Sequence, residues 1–286
     1  MTATTSLFTD HSRHWRTNRY VYPVISRRSK GLSIGVNLNP DKACNFDCVY
    51  CSVDRSVPSL VREVDLGVVR QELDHLLGLA ASGTIWNEAP FDRTPAGLRR
   101  LNDVAFSGDG EPTSYPAFGE ACRLAAELIR WHNAPTKIVV ITNATLLHRL
   151  EVQAALTFLD TVPSQVWAKL DAGTQNYYAL IERTKIPLQR VLDNLRLTGK
   201  ARPITIQTMF LRYRGEAPGA AEIDAYLGRL RDLVAGGCRI ALVQVYTVAR
   251  STAEAEATPL SKPEVDTIVA QVCALGLAAE AYYGPE

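Results

Sequence analysis

The chain has 286 residues, 47% of them hydrophobic and 21% charged, with a formal net charge of +1. This length and composition bury a large core and exclude a disordered chain, a fibrous repeat and a disulfide-dense secreted module. No apolar run reaches the ~18 residues of a membrane span. In chain order, the first residues, MTATTSLFTDHSRHWR, have no apolar centre of the kind a secretion signal needs. The expected compartment is therefore the cytoplasm, with no membrane association. There, clustered cysteines read as metal ligands or redox groups rather than disulfides.

Charge is unevenly spread. Between His11 and Pro40 there is no acidic residue, while Arg13, Arg16, Arg19, Arg27, Arg28 and Lys30 alternate with Trp15, Tyr20 and Tyr22. Residues 1–30 are read as a basic N-terminal extension that covers one end of the core. The alternative is an arm that grips phosphates and stacks on bases. Residues 31–286 are read as one domain.

Within that domain, strand-like runs at 31–38, 103–108, 137–142, 164–170, 203–210 and 239–246 alternate with helix-like stretches at 65–80, 117–131, 147–159, 174–197, 220–235 and 263–275. A short LAAEAYY run supplies a last strand. This alternation predicts an α/β fold with a parallel sheet and outer helices. Six units are too few for a closed eight-fold barrel, so the expected architecture is a partial (β/α)6 barrel, with ligands at the carboxyl ends of its strands. Residues 82–102 read as an excursion and 249–262 as a loop leaving the sixth strand.

Side chains alternate along strands. Trp167, Lys169 and Asp171 therefore share a face, as do Thr205, Gln207 and Met209, and Leu242, Gln244 and Tyr246. Lys, Asp and Gln in apolar strands are costly unless they are paired or face a wet cavity. They are expected to point inward at the upper end, either as site residues or as satisfied structural polar groups.

Three of the six cysteines, Cys44, Cys48 and Cys51, fall within KACNFDCVYC directly after the first predicted strand. Three thiolates do not close a tetrahedral zinc site; His75, on the first helix, is the nearest candidate fourth ligand in sequence. An iron–sulfur cube held by three thiolates leaves one iron open to a chelating ligand. Cys122, Cys238 and Cys273 read as buried small hydrophobes.

The Cys44-x-x-x-Cys48-x-x-Cys51 spacing, with Tyr50 before the last cysteine, resembles the signature of the radical S-adenosylmethionine (SAM) superfamily. The resemblance implies a [4Fe–4S] cluster on these cysteines, with SAM chelated to its fourth iron. Ser107-Gly108-Asp109-Gly110-Glu111 resembles the glycine-rich element that meets the SAM amino group, although Asp109 separates the two glycines. Thr142-Asn143 resembles a common strand end of the family. Asp171 matches a position often set against the ribose; Tyr50 and the 245–247 backbone, with Tyr246, are placed by the same resemblance against adenine. Gln207 is carried as a further cofactor contact. The implied activity is reductive cleavage of SAM to a radical that abstracts hydrogen from substrate.

The segments NLNPDKACNFDCVYC, SGDGEPT, TNATLL, WAKLDAG and VQVYTVAR are similar to the group containing wyosine tRNA-modification synthases, without the cysteines of its second cluster. The similarity implies a nucleoside or tRNA base as substrate and makes Lys169 a candidate Schiff-base lysine, whose pKa burial would lower; its alternative is an ion pair with Asp171. A small metabolite or peptide substrate, or a non-catalytic iron–sulfur or zinc module, are the other readings. Arg212, Arg214 and Arg250 are candidate carboxylate or phosphate contacts. With no flavin or second-cluster motif visible, the expected electron donor is an external flavodoxin or ferredoxin.

Overall fold

The computed structural model describes residues 15–59 and 61–284. They form two compact units. The first takes the described residues up to Cys44 with Val57–Ile141 and Arg149–Gln165; the second takes Asn45–Ser56, Thr142–His148 and the chain from Val166 onward.

In the first unit, strands run in the order β1 (Val21–Ser26), β2 (Gly31–Val36), β3 (Leu101–Phe106) and β4 (Lys137–Thr142). β1 is antiparallel to β2 and the other pairs are parallel. All six residues of β2 are buried, which is why GLSIGV reads as a near-continuous apolar run: a strand covered on both faces has no polar side. The helices are α1 (Leu66–Ala81), α2 (Phe118–Trp131) and α3 (Leu150–Leu159). Asp65 caps α1 by accepting from the amides of Gly67 at 2.8 Å and Val68 at 3.3 Å. α2 buries Phe118, Ala121, Cys122, Ala125 and Leu128 at helical spacing.

β1 lies inside the segment read from sequence as an extension. Its aromatic neighbours are core residues, with Trp15, Tyr20 and Tyr22 all buried and Trp15 packed on Phe91 at 5.5 Å between centroids. These rings are therefore not available to stack on bases. Arg13, part of the same reading, lies outside the described residues. The 82–102 excursion consists of three short 3-10 turns.

In the second unit, parallel strands run β5 (Ser164–Lys169), β6 (Ile204–Met209), β8 (Ile240–Tyr246) and β10 (Ala279–Tyr282). A two-stranded antiparallel ribbon pairs β7 (Leu211–Tyr213) with β9 (Ala257–Pro259), so the 249–262 segment read as loop contains a strand. The helices are α4 (Gln175–Glu182), α5 (Leu188–Ala201), α6 (Ala220–Ala235) and α7 (Lys262–Cys273). The single helix predicted over 174–197 is two: Arg183 ends α4 in the left-handed region at φ 47°, and Pro187 disfavours helical backbone at the residue before it. α7 opens on a capping box of Ser261 and Glu264. Among the described residues no helix is long and apolar enough to cross a membrane.

One carboxylate ties β1 to α1. Glu72 is 9% exposed and accepts from the amides of Arg19, Tyr20 and Val21 at 2.7, 2.9 and 3.0 Å. Removing it leaves those amides without a charged acceptor. Glu72→Ala is expected to lower the unfolding free energy by about 3 kcal/mol in urea titrations, and Glu72→Gln by about half of that. A loss under about 1 kcal/mol for the alanine variant would show that β1 is held by other contacts.

Candidate functional site

In the second unit the cysteine loop is tied to the ends of β5 and α4. Tyr50, 6% exposed, donates to the Asp171 carboxylate. Asp171, just past the end of β5, also accepts from the Met209 amide at 2.6 Å. Lys169 donates to the Tyr50 hydroxyl at 3.0 Å, and its ammonium stands 4.7 Å from the Tyr50 ring centroid. Glu182, the last residue of α4 and 1% exposed, meets the same hydroxyl at 3.0 Å and receives the Cys48 thiol at 2.6 Å.

The protonation states follow from this packing. Burial, then the Asp171 charge, hold the Glu182 carboxyl well above the usual carboxylate range. A phenol has one proton. The Tyr50 Oη stands within donating distance of both the Asp171 and Glu182 carboxyl groups, the shorter contact being to Asp171, and accepts from Lys169. Burial first, and then Asp171, keep Tyr50 itself neutral. Burial alone lowers the Lys169 pKa, but Tyr246, Cys48, Asp171 and Glu182 outweigh it and raise it well above the ordinary value. This direction is opposite to the depressed lysine expected from sequence. Its expected alternative partner, Asp171, is bonded instead to Tyr50.

Strand register sets Lys169 beside Gln207 and Gln207 beside Gln244, so the face-sharing read from alternation becomes a polar row across three strands. Gln207 donates to Gln244 at 2.7 Å, while its own carbonyl oxygen is buried without a partner. Tyr246 sits in the apolar cluster around Val49, Tyr50, Ile181, Met209 and Val248. Phe46, Asn143, Lys169, Asp171, Tyr178 and Glu182, among others, line a tight recess with no room for a water molecule. The Tyr178 hydroxyl there is buried without a hydrogen bond. Asn143 donates to Asn45 at 2.6 Å and accepts from Thr145, and the Thr142 hydroxyl accepts the Ala144 amide at 3.0 Å. The Thr-Asn strand end thus holds the start of the cysteine loop.

In the first unit, Asp109 accepts from Asn37 at 2.6 Å and Glu111 accepts from Thr113, capping a 3-10 turn. The Ser107 hydroxyl and carbonyl lie within 3.3 Å of the Tyr22 hydroxyl. A Cβ on Gly108 would strike the Asn37 side chain, and one on Gly110 would strike the Ala43 carbonyl beside Cys44. Gly110 is required because backbone passes backbone there, and Gly108 because the Asn37 side chain packs against its Cα.

Other expectations resolve differently. Arg212 pairs with Glu264 at 2.5 Å and Arg214 with Glu256 at 3.2 Å. His75 is exposed on α1. Cys273 is exposed, not buried, whereas Cys122 and Cys238 are in the core. Glu182 and Arg55 were missed. The signal for Glu182 is its i, i+4 relation to Tyr178 on the buried face of α4, where an acid is out of place.

Among the described residues no three His, Cys, Asp or Glu side chains are placed to hold a metal ion. The donor chemistry nevertheless suits a cluster. Cys44, Cys48 and Cys51 form no disulfide and are partly exposed on one loop, and the Arg55 guanidinium donates to the Cys51 sulfur at 3.1 Å.

The fold places the chain in a class. It matches the crystal structure of a radical SAM methyltransferase from Sphaerobacter thermophilus with a TM-score of 0.61 and 14% identity, over 92% of this chain and 69% of that one. It matches a structure of TYW1 with a lysine-pyruvate adduct bound with a TM-score of 0.53 and 16% identity, over 95% and 80%. The fold is therefore the α/β partial barrel of radical SAM enzymes. No family model matches the sequence. Among curated proteins, it is 30% identical over 141 residues to a UPF0026 protein of Helicobacter pylori, covering 49% of this chain and 39% of that protein. It is 28% identical over 172 residues to a protein of Brachyspira hyodysenteriae named GTPase Obg, covering 59% and 21%. The chain thus spans well under half the length of these two relatives.

Thiol reactivity tests the cysteine environments. Burial raises the Cys238 thiol to about 11 and pushes Cys122 higher still, so at pH 8 roughly a thousandth of Cys238 is thiolate. Mass mapping of the metal-free protein alkylated anaerobically at pH 8 is expected to find Cys273, Cys44 and Cys51 modified first. Cys122 and Cys238 are expected to react after denaturant is added. Early modification of Cys238 would contradict the packing around it.

Proposed function

We propose that the chain is a radical SAM enzyme in which Cys44, Cys48 and Cys51 hold a [4Fe–4S] cluster. The observation that carries this is the three-cysteine loop with Tyr50, following β2 in a fold shared with radical SAM enzymes over 92% of the chain. Held there, the cluster with SAM would supply one-electron reductive cleavage of the sulfonium, giving methionine and, with a hydrogen taken from substrate, 5′-deoxyadenosine. The electron comes from an external flavodoxin or ferredoxin.

The chain's own residues bind and orient. In the first unit, Ser107–Glu111 presents backbone to the SAM amino group, with Gly108 and Gly110 allowing the approach. In the second, Asp171 takes the ribose, and Tyr50 and Tyr246 flank adenine with Thr142, Asn143 and Gln207 in support. Lys169, held as an ammonium, serves as a cation towards ligand; a Schiff base would first require it to lose its proton. The substrate is a nucleoside or tRNA base, supported by the segments shared with wyosine-type synthases.

The test is anaerobic reconstitution with iron and sulfide, then SAM and dithionite, reading 5′-deoxyadenosine by mass spectrometry. Product is expected from the native chain. None is expected from Cys48→Ala, whose iron content should fall. Absence of product together with a cluster spectrum indifferent to SAM would overturn the proposal. Asp171→Ala is expected to assemble the cluster and weaken SAM binding by about tenfold, on the order of one charge-assisted hydrogen bond. Unchanged affinity would remove Asp171 from the site.

A further inference from the structure

Arg55 has no role in the function proposed above. It lies four residues after Cys51, in the run Cys51-Ser52-Val53-Asp54-Arg55, and both belong to the second unit. Its Nη1 donates to the Cys51 sulfur at 3.1 Å. Both ends of this contact are held. On the cysteine side, the Cys51 amide donates to the Cys48 carbonyl at 2.9 Å, and the Cys51 carbonyl accepts from the Ala253 amide at 2.8 Å. On the arginine side, Val53 is buried, and the Asp54 carboxylate accepts from the Ser56 amide at 2.8 Å, closing a turn around Arg55. Arg55 is itself half-buried, so salt screens its charge less than that of a fully exposed arginine.

The two loop thiols of this unit stand in opposite surroundings. The Cys48 thiol meets the Glu182 carboxyl at 2.6 Å, whereas the Cys51 thiol meets a guanidinium. A guanidinium has donors only and keeps its charge throughout the working pH range. It therefore complements a thiolate sulfur, the form in which cysteine binds a metal. Hydrogen bonds to the sulfurs of an iron–sulfur cluster, with its net charge and exposure, set the reduction potential. One added electron makes the cluster and its thiolates more negative by one charge. A cation fixed against one of those thiolates stabilises the reduced form more than the oxidised one.

We infer that Arg55 is a positioning residue that acts through Cys51 to raise the reduction potential of the cluster, easing electron entry from the external donor. The inference rests on the [4Fe–4S] reading above and deepens it, giving the electron step a residue beyond the three cysteines.

The test reads potential rather than turnover. Native chain, Arg55→Gln and Arg55→Lys are reconstituted anaerobically with iron and sulfide and assayed for iron per chain. Each is then titrated with dithionite in the presence of redox mediators, following the EPR signal of the reduced cluster. Arg55→Gln is expected to hold native iron and to be about tenfold harder to reduce, a fall of ~59 mV for a one-electron couple. Arg55→Lys keeps a cation and a donor at the position and should stay within about threefold of native. A native potential in Arg55→Gln overturns the inference, as does a fall in Arg55→Lys as large as that in Arg55→Gln. If Arg55→Gln loses iron, Arg55→Lys decides: native iron and potential there support the need for a cation, and iron loss or a lowered potential there overturns it. SAM affinity is read on the same samples; a fall with the potential unmoved assigns Arg55 to the ligand and also overturns the inference. A native chain that takes up no four-iron cluster removes the underlying reading. SAM cleavage by the native chain, with the Arg55→Gln potential unmoved, leaves that reading standing and removes the inference alone.

Discussion

The second unit turns on one hydroxyl. Tyr50 reaches from the cysteine loop to the end of β5 through Asp171, to the end of α4 through Glu182, and to Lys169. Each of these groups is costly to bury alone. Together they satisfy one another when the phenol stays neutral, accepts from Lys169 and gives its proton to a neighbouring carboxyl group. That arrangement fixes the loop between Cys48 and Cys51 relative to a strand and a helix, because moving the loop strands a charge. The main chain adds a second tie where the Ala253 amide donates to the Cys51 carbonyl at 2.8 Å.

The segment that supplies this second tie is itself anchored away from the cysteines. Glu254 pairs with Arg183 and lies 3.2 Å from the Tyr213 hydroxyl, and β9 zips onto β7. Arg183 can make this contact because it ends α4 in left-handed backbone, immediately after Glu182. The end of α4 therefore serves two sides at once: Glu182 faces the thiol and the phenol inside, while Arg183 fastens the strap outside. Exposed ion pairs contribute little stability individually, so the strap owes its order mainly to the β7–β9 ladder and to Ala257 and Val248 in the apolar cluster.

Much of the fold was legible because its strands are short, apolar and regularly separated by amphipathic helices. β2, β4, β6 and β8 lie where alternation puts them. β1 was obscured because its flanking arginines made the segment read as an arm, and the burial of Trp15, Tyr20 and Tyr22 is a tertiary fact that composition does not carry. The break at Pro187 was written in the sequence and overridden by helical periodicity on both sides. Strand parity put Lys169, Gln207 and Gln244 on inward-facing positions, and strand register sets them side by side. What parity does not convey is electrostatic sign. Burial argues for a neutral lysine, and four anionic or polarised neighbours, two of them far away in sequence, reverse the outcome. Glu182 was invisible for the same reason: its partners lie on a loop more than a hundred residues earlier.

The same logic explains why polar groups sit where apolar ones would be cheaper. A buried ionic network is weak support for stability, and well-packed hydrophobic residues often replace one without loss. Here the apolar cluster of Val49, Ile181, Met209, Leu211 and Val248 lies directly against the network and supplies the cohesion. The network's contribution is then directional. It holds one thiol, one phenol and one ammonium at defined positions on rigid elements, as a preorganised ligand site requires. The Tyr178 hydroxyl and the Gln207 carbonyl are two of the buried polar atoms without a hydrogen-bond partner among the described residues, and the free energy of each is recovered only when something else supplies its partner.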